Sequence, residues 1–461
     1  MKHTQGMMLV DVMVALSVCA LFMAIIVESS LDSRVAFERA RERSALLDTF
    51  VQYQPEIDLL GRGGTYDAHG IKVNAHRYGN ERIETDISIT SSSTHQSVDF
   101  IQIKNNPSYD ALHLSGTPIC AVDMTQKSSY TIVTTPIILP IPATIPLSHI
   151  QVRNTTVYIS TDSNTYSDPD FYTIDIHDPA HSVMLSSLQT GPGLSSFVIS
   201  GNHIFASATS NAGQLHGLTF NSQGIPTFSY SYKIPLPYAT ATAPYARSIF
   251  IQGNTVFLGT DKWDGQEFVA LDISDPLRAT FLGGLEIGSE VKDIYVRDGT
   301  AYLATAGQQQ FISVDVSDPS HMSLVGSLSP SGSSRQEGNA ISLFEEIFNV
   351  GRTSGGFNII QDPELFEWNA SSTSISPTIF SEKYQSLDIS GGVYGIVRDR
   401  THTFVATRMS GKELQIFGTS LSTSTMQTYA LPASPEYMTC DGHSLYVLAH
   451  GTPILYKANT I

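Results

Sequence analysis

The chain has 461 residues, more than one average domain and fewer than three. Only 26 basic side chains stand against 43 acidic ones, and the net charge of −17 argues against a nucleic-acid partner. Charged residues make up 15% of the chain, so Ser, Thr and Asn carry its solubility, and three cysteines exclude a disulfide-dense scaffold.

The first element is GMMLVDVMVALSVCALFMAIIV, residues 6–27, in which Asp11 is the one charge. About 20 such residues cross a bilayer core as a helix. As a secretory signal the stretch is poor. Its basic start is only Lys2 with His3, the apolar run is too long, and VESS is a weak cleavage site. A plain signal anchor stays open. The segment KHTQG followed by MMLVDVMVALSVCALFMAII resembles the N-terminus of type IV prepilins and type II secretion pseudopilins. That resemblance implies a leader over 1–6, cut after Gly6 by a prepilin peptidase, and a methylated Met7 as the first mature residue. Asp11 stands where the family carries glutamate, and Met7 where it usually carries phenylalanine. A carboxylate inside an apolar helix is costly when unpaired. In a filament the amino terminus of a neighbouring subunit would neutralise Asp11; in a plain anchor Asp11 would sit near the headgroups.

From Ser29 to Gln54 no Gly or Pro interrupts a helical pattern, with Val35, Leu46 and Phe50 among Arg39, Glu42 and Arg43. The expected helix therefore runs over 7–54, with 7–27 in the membrane, a rod of roughly 70 Å. Pro55 and the glycines at 61–64 end it. Residues 65–128 hold the alternating runs IKVNAHRYG, IETDISITSS and SVDFIQIKN, which predict a small antiparallel sheet like that of a pilin head. His69, His76 and Asp86 match no metal-site spacing and read as surface residues.

Residues 130–461 repeat. Seven strand–turn–strand units turn near Asn154, Gly201-Asn202, Gly253-Asn254, Asp298-Gly299, Glu345, Asp399 and Asp441-Gly442, spaced by 42 to 54 residues. Each is followed by a third strand: FYTIDI, QLHGLTF, FVALDI, FISVDV, GFNII, ELQIFG and PILYKA. A fourth follows in the full copies. This period is that of a four-stranded propeller blade. DIHDPAHSVMLSSLQ, DISDPLRATFLGGLEI and DVSDPSHMSLVGSLSP show the unit best, and they resemble the LVIVD-type repeats of bacterial surface propellers. Their Asp-Pro pairs are turn chemistry rather than catalytic acids. The seventh copy lacks a fourth strand, whereas YTIVTTPIILPI, residues 130–141, is a strand without a hairpin. The expected fold is mainly β, a seven-bladed propeller closed by that strand on the last blade. An eighth, degenerate copy between Gly355 and Asp399 is the alternative.

Cys120 and Cys440 are the one cysteine pair outside the apolar stretch, and a bond between them would staple the ring; two separate buried thiols is the other reading. In TDSNTYSDPDFY, Asp162, Asn164, Tyr166, Asp168 and Asp170 offer oxygens at alternate positions, as a calcium loop would. The glycine and the closing glutamate of an EF-hand are absent, so a polar turn-rich loop competes with a Ca2+ site. Trp263, in TDKWDGQEF, is either a contact residue on a propeller face or a cover for the core edge. No nucleophile elbow, HExxH, phosphate-loop or dinucleotide motif appears. The expectation is a non-enzymatic minor pilin or pseudopilin at a filament tip. Its partners would be the prepilin peptidase, other pilin subunits, the membrane and a surface ligand. A membrane-anchored scaffold without filament assembly and an anchored propeller hydrolase are the rival readings.

Overall fold

The structure is a computed structural model. It describes the strands Gly64–Ala68, Ile71–Tyr78, Arg82–Thr90 and Ser97–Asn105. It then describes residues 131–459 apart from breaks at 154, 164–166, 238–240, 331–335, 345–346, 355–364, 370–378, 382, 390, 399–401, 419–420, 424–425 and 442–443. The expected leader, apolar stretch and long helix lie outside the described residues. Among those residues no helix is long and apolar enough to cross a membrane.

The chain divides into two compact units, 1–109 and 110–461. In the first, the four strands just named form an antiparallel meander in chain order. The three alternating runs read from the sequence are its last three strands; GTYDA, the first, lacked a clear pattern.

In the second unit the described strands form seven four-stranded antiparallel sheets. Blades one to six occupy 147–188, 194–232, 246–285, 291–328, 336–387 and 393–429. Blade seven takes its inner three strands from 435–459 and its outer strand from Thr131–Ile138, which pairs antiparallel with Ile454–Asn459. The inner strands touch one another in order around the ring, and that of blade seven touches that of blade one. Between 355 and 399 the described strands belong to blades five and six, so the count is seven and not eight.

The turns explain the hairpins. Ser200 pairs with His203 and Gln252 with Thr255, leaving two-residue loops whose first residues, Gly201 and Gly253, have φ of +55° and +58°. In the Arg297–Thr300 hairpin both Asp298 (φ +51°) and Gly299 (φ +74°) are left-handed, as a type I′ turn requires. Blade seven turns one residue later than expected, since Asp441 itself pairs with Ser444. Blade five corrects the sequence reading more seriously. Its third strand is Leu365–Asn369, and GFNII lies outside the described residues.

Burial follows distance from the rim. Second and third strands are buried on both sides, as in TAYLAT and FVALD, because each blade is sandwiched between two others. The outer strand VMLSSL alternates exposed and half-buried. The core therefore lies between blades. Ile150, Val157 and Ile159 of blade one share one cluster with Tyr446, Leu448 and Leu455 of blade seven and with Ile137 of the closing strand.

Candidate functional site

Each strand of a blade runs opposite to its neighbour, so two ends of the ring follow from topology. At one end, here the linker end, the chain enters inner strands, leaves second strands, enters third strands and passes to the next blade. The hairpins and the Asp-Pro turns lie at the other end, the turn end.

The Asp-Pro turns are held as turns. Asp318 accepts from Ser320 N at 3.0 Å and Ser320 Oγ at 2.6 Å, and Asp275 from Leu277 N at 3.1 Å. Asp178 accepts from Ala180 N at 3.0 Å. Bonds from Ser320 and His321 hold the exposed Asp318 carboxyl down at about 2. A Cβ on Gly283, in the outer strand of blade three, would stand 2.4 Å from Pro319 O, so the Asp-Pro turn of blade four packs directly on its neighbour.

The linker end carries a feature that sequence reasoning missed. The residue before the third strand is buried and polar in blade after blade: Asp170, Gln214, Glu267, Gln310 and Glu413. Most of them grip the segment that leads to the next blade. Asp170 accepts from Thr190 N (2.9 Å), Thr190 Oγ1 (2.9 Å) and Gly191 N (2.8 Å). Glu267 accepts from Ile287 N at 2.7 Å and Gly288 N at 3.0 Å. Gln214 accepts from Ile234 N at 2.8 Å, and Glu413 from Leu431 N at 3.0 Å. Burial lifts Asp170 to about 6, against the pull of these donors. Since Thr190 gives its one hydroxyl proton to Asp170, His216 must donate Nδ1–H to Thr190 Oγ1, 3.0 Å away. Burial lowers His216 to about 4.

Of the loop residues considered for calcium, Asp162 and Asp170 engage different parts of the protein. Asp162 Oδ1 accepts from Thr209 Oγ1 at 2.9 Å, and its Oδ2 lies 3.8 Å from Arg247. Asn164 and Tyr166 lie outside the described residues, and Asp168 stands two residues before the buried Asp170. Among the described residues no three His, Cys, Asp or Glu side chains stand together as metal ligands.

Arg247 is the centre of a charged collar at the linker end. It grips Asp261 with Nε at 2.5 Å and a second nitrogen at 3.1 Å, and lies 3.9 Å from Glu290. Lys292 pairs with Glu337 of blade five. Burial raises the Glu290 carboxyl, opposed by Lys292 and Arg247. On the far side Arg408 binds Glu436 at 2.5 Å and lies 3.8 Å over the Tyr394 ring, while His450 Nδ1 also contacts Glu436. Trp263 is half-buried, packs on the core of blades two and three, and donates Nε1–H to Gln266 O at 3.1 Å. Its ring thus covers the core edge. Cys440, on the inner strand of blade seven, is buried and disulfide-bonded; Cys120 lies outside the described residues.

The central channel is lined by inner strands. There the His149 ring meets the Tyr437 hydroxyl, Nε2 to Oη 2.7 Å, across the seam of blades one and seven. Asp293 gives both carboxylate oxygens to backbone, accepting from Ile294 N at 2.9 Å and from Ile341 N of blade five at 2.8 Å. Burial lifts it to about 7.

Comparison with known proteins agrees on the repeat. The family model described as "LVIVD repeat" matches residues 288–329. That span is blade four with its entry. The chain is a seven-bladed β-propeller with an LVIVD repeat segment. No curated protein matches the chain. Among solved structures, a putative 6-phosphogluconolactonase from Bacteroides fragilis is 12% identical, with a TM-score of 0.46 over 80% of this chain and 96% of its own. BamB from Moraxella catarrhalis is 14% identical, with a TM-score of 0.36 over 68% of this chain and 83% of its own. The computationally designed Ika8 protein is 11% identical, with a TM-score of 0.43 over 69% of this chain and 97% of its own. At these scores none of the three bears on what this chain binds or does.

Proposed function

We propose that the chain is a minor pilin- or pseudopilin-like subunit of a type IV pilus or type II secretion-like filament that presents its propeller at the cell surface for adhesion or protein binding. One observation carries the reading: a carboxylate, Asp11, placed inside an apolar stretch that begins directly after Gly6. A membrane helix seldom tolerates such a group without a partner, and the amino terminus freed by cleavage before Met7 would be that partner in a neighbouring subunit. A closed ring of seven blades is a bulky head, and along a filament shaft it would clash with its neighbours. A tip position suits it better. The reading assigns the propeller no reaction of its own, because Asp170, Glu267 and Glu413 are engaged by backbone N–H groups. The linker-end collar, with its half-exposed Arg247, Asp261 and Glu290, offers the charged surface for a partner.

The substitution Asp11→Ala tests it. The expected result is a chain that folds and reaches the membrane but no longer co-purifies with filament subunits. Unchanged co-purification would favour the plain membrane-anchored scaffold.

A further inference from the structure

We propose that the seam between blades seven and one is an acid-sensitive clasp, in which protonation of His149 loosens the closing blade and opens the ring. Blade seven is the one blade assembled from two distant stretches of chain, 131–138 and 435–459, so ring closure depends on how it is held. Its inner strand holds on through consecutive residues that alternate sides. Glu436 reaches Arg408 of blade six, and Tyr437 reaches His149 of blade one. Between blades four and five Asp293 is tied to Ile341 N, and its raised carboxyl is favoured by acid rather than weakened by it. At the other four seams the inner strands are tied by groups that do not titrate near neutral pH. Ser148 Oγ donates to Leu194 O, Ser195 Oγ to Ala246 O and Ser248 Oγ to Val291 O, while Asn339 Nδ2 donates to Val393 O.

His149 can serve its clasp only when neutral. Its side chain is almost wholly buried, its Nε2 meets Tyr437, and its Nδ1 is buried with no hydrogen-bond partner. The ring stands edge-on to Phe197 of blade two, 4.9 Å between centroids, and 4.2 Å from the Tyr437 ring. A second ring proton would therefore place a charged donor against aromatic carbon with nothing to accept it. No neighbouring group offers a countercharge. Tyr437 is neutral, Phe197 is apolar, and Ser160, the strand partner of His149, does not ionise. Asp293 of blade four, which acts on Tyr437, is committed to the Ile294 and Ile341 amides. Burial accordingly lowers His149 from 6.5 to about 3.

The sign follows. A histidine whose pKa is depressed by folding favours the closed state above pH 6.5 and loses that advantage as pH falls below it. At pH 5 these values shift the closed–open equilibrium about 30-fold toward opening. Asp170 and Asp293, both raised, push the other way, since the folded state takes up their protons on acidification. An acid-induced loss at this seam therefore cannot come from them. His216 has the same sign as His149 but bonds Thr190, in the linker from blade one to blade two.

Hydrogen exchange on the full chain in detergent at pH 7.5 and pH 5, corrected for intrinsic rates, tests the clasp. Protection in the inner strands of blades seven and one should fall about 30-fold at pH 5 relative to blade three. His149→Gln should abolish that local drop, and His216→Gln should keep it. Tyr437→Phe, an independent readout should His149→Gln fail to fold, should lower protection at both pH values and retain the acid drop. A loss spread evenly around the ring, no loss at all, or the same drop in His149→Gln would each overturn the proposal.

Discussion

Asp170 is fully buried, yet its work is architectural. It collects three donors from Thr190 and Gly191 and fixes the passage from blade one to blade two. Asp170→Ala strands those donors and should cost about 2–4 kcal/mol in urea unfolding, well beyond Asp168→Ala. Its pH dependence has a definite sign. With the folded carboxyl raised to about 6, its contribution is complete below about pH 4 and is lost as pH rises through 6. The stability gap between the wild type and Asp170→Asn should therefore narrow from pH 4.5 to pH 7. This residue was legible only as one member of an acidic loop. The mark that gives its role, a polar residue just before the third strand, recurs as Gln214, Glu267, Gln310 and Glu413. A search for apolar alternation passes over it, because the informative position is the one that breaks the run. The same mark, Glu364 before Leu365, would have placed the third strand of blade five correctly.

Among elements, the two-residue hairpins and the Asp-Pro turns were legible because their chemistry is local. Glycine or Asp-Gly supplies positive φ, and aspartate bonds the backbone two residues on. What the turns pack against was not legible. The Asp-Pro turn of blade four lies on Gly283 of blade three, where a methyl group would meet Pro319 O at 2.4 Å and Ser320 Cα at 3.0 Å. Both obstacles are backbone, so Gly283→Ala must push the blades apart. It should cost roughly 1–3 kcal/mol, read as a lowered midpoint in thermal unfolding. The outer strands hold a second hidden regularity. Their pairing shifts register at the same place in blades one to four, between Thr173 and Ile174, Gly217 and Leu218, Ala270 and Leu271, and Ser313 and Val314. Such bulges twist a rim strand away from pairing with another chain, and no single residue type announces them.

At the scale of the whole molecule, the ring was legible from the spacing of its hairpins, and its closure from one missing strand and one surplus strand. Pairing of Ile454 with Ile138 and of Leu455 with Ile137 completes the seventh blade. A chain beginning at residue 139 should leave the edge of Ile454–Asn459 open and aggregate, which light scattering would detect against the full chain. The channel-lining roles of His149, Asp293 and Tyr437 were not legible, since only the closed ring brings strands 288 residues apart together. The apolar stretch over 6–27 is the reverse case, read from sequence alone. The most direct test of the account is the intact mass of the protein isolated from membranes. The account predicts a chain that starts at a methylated Met7 with residues 1–6 removed. A native chain that still carries Met1 would contradict it.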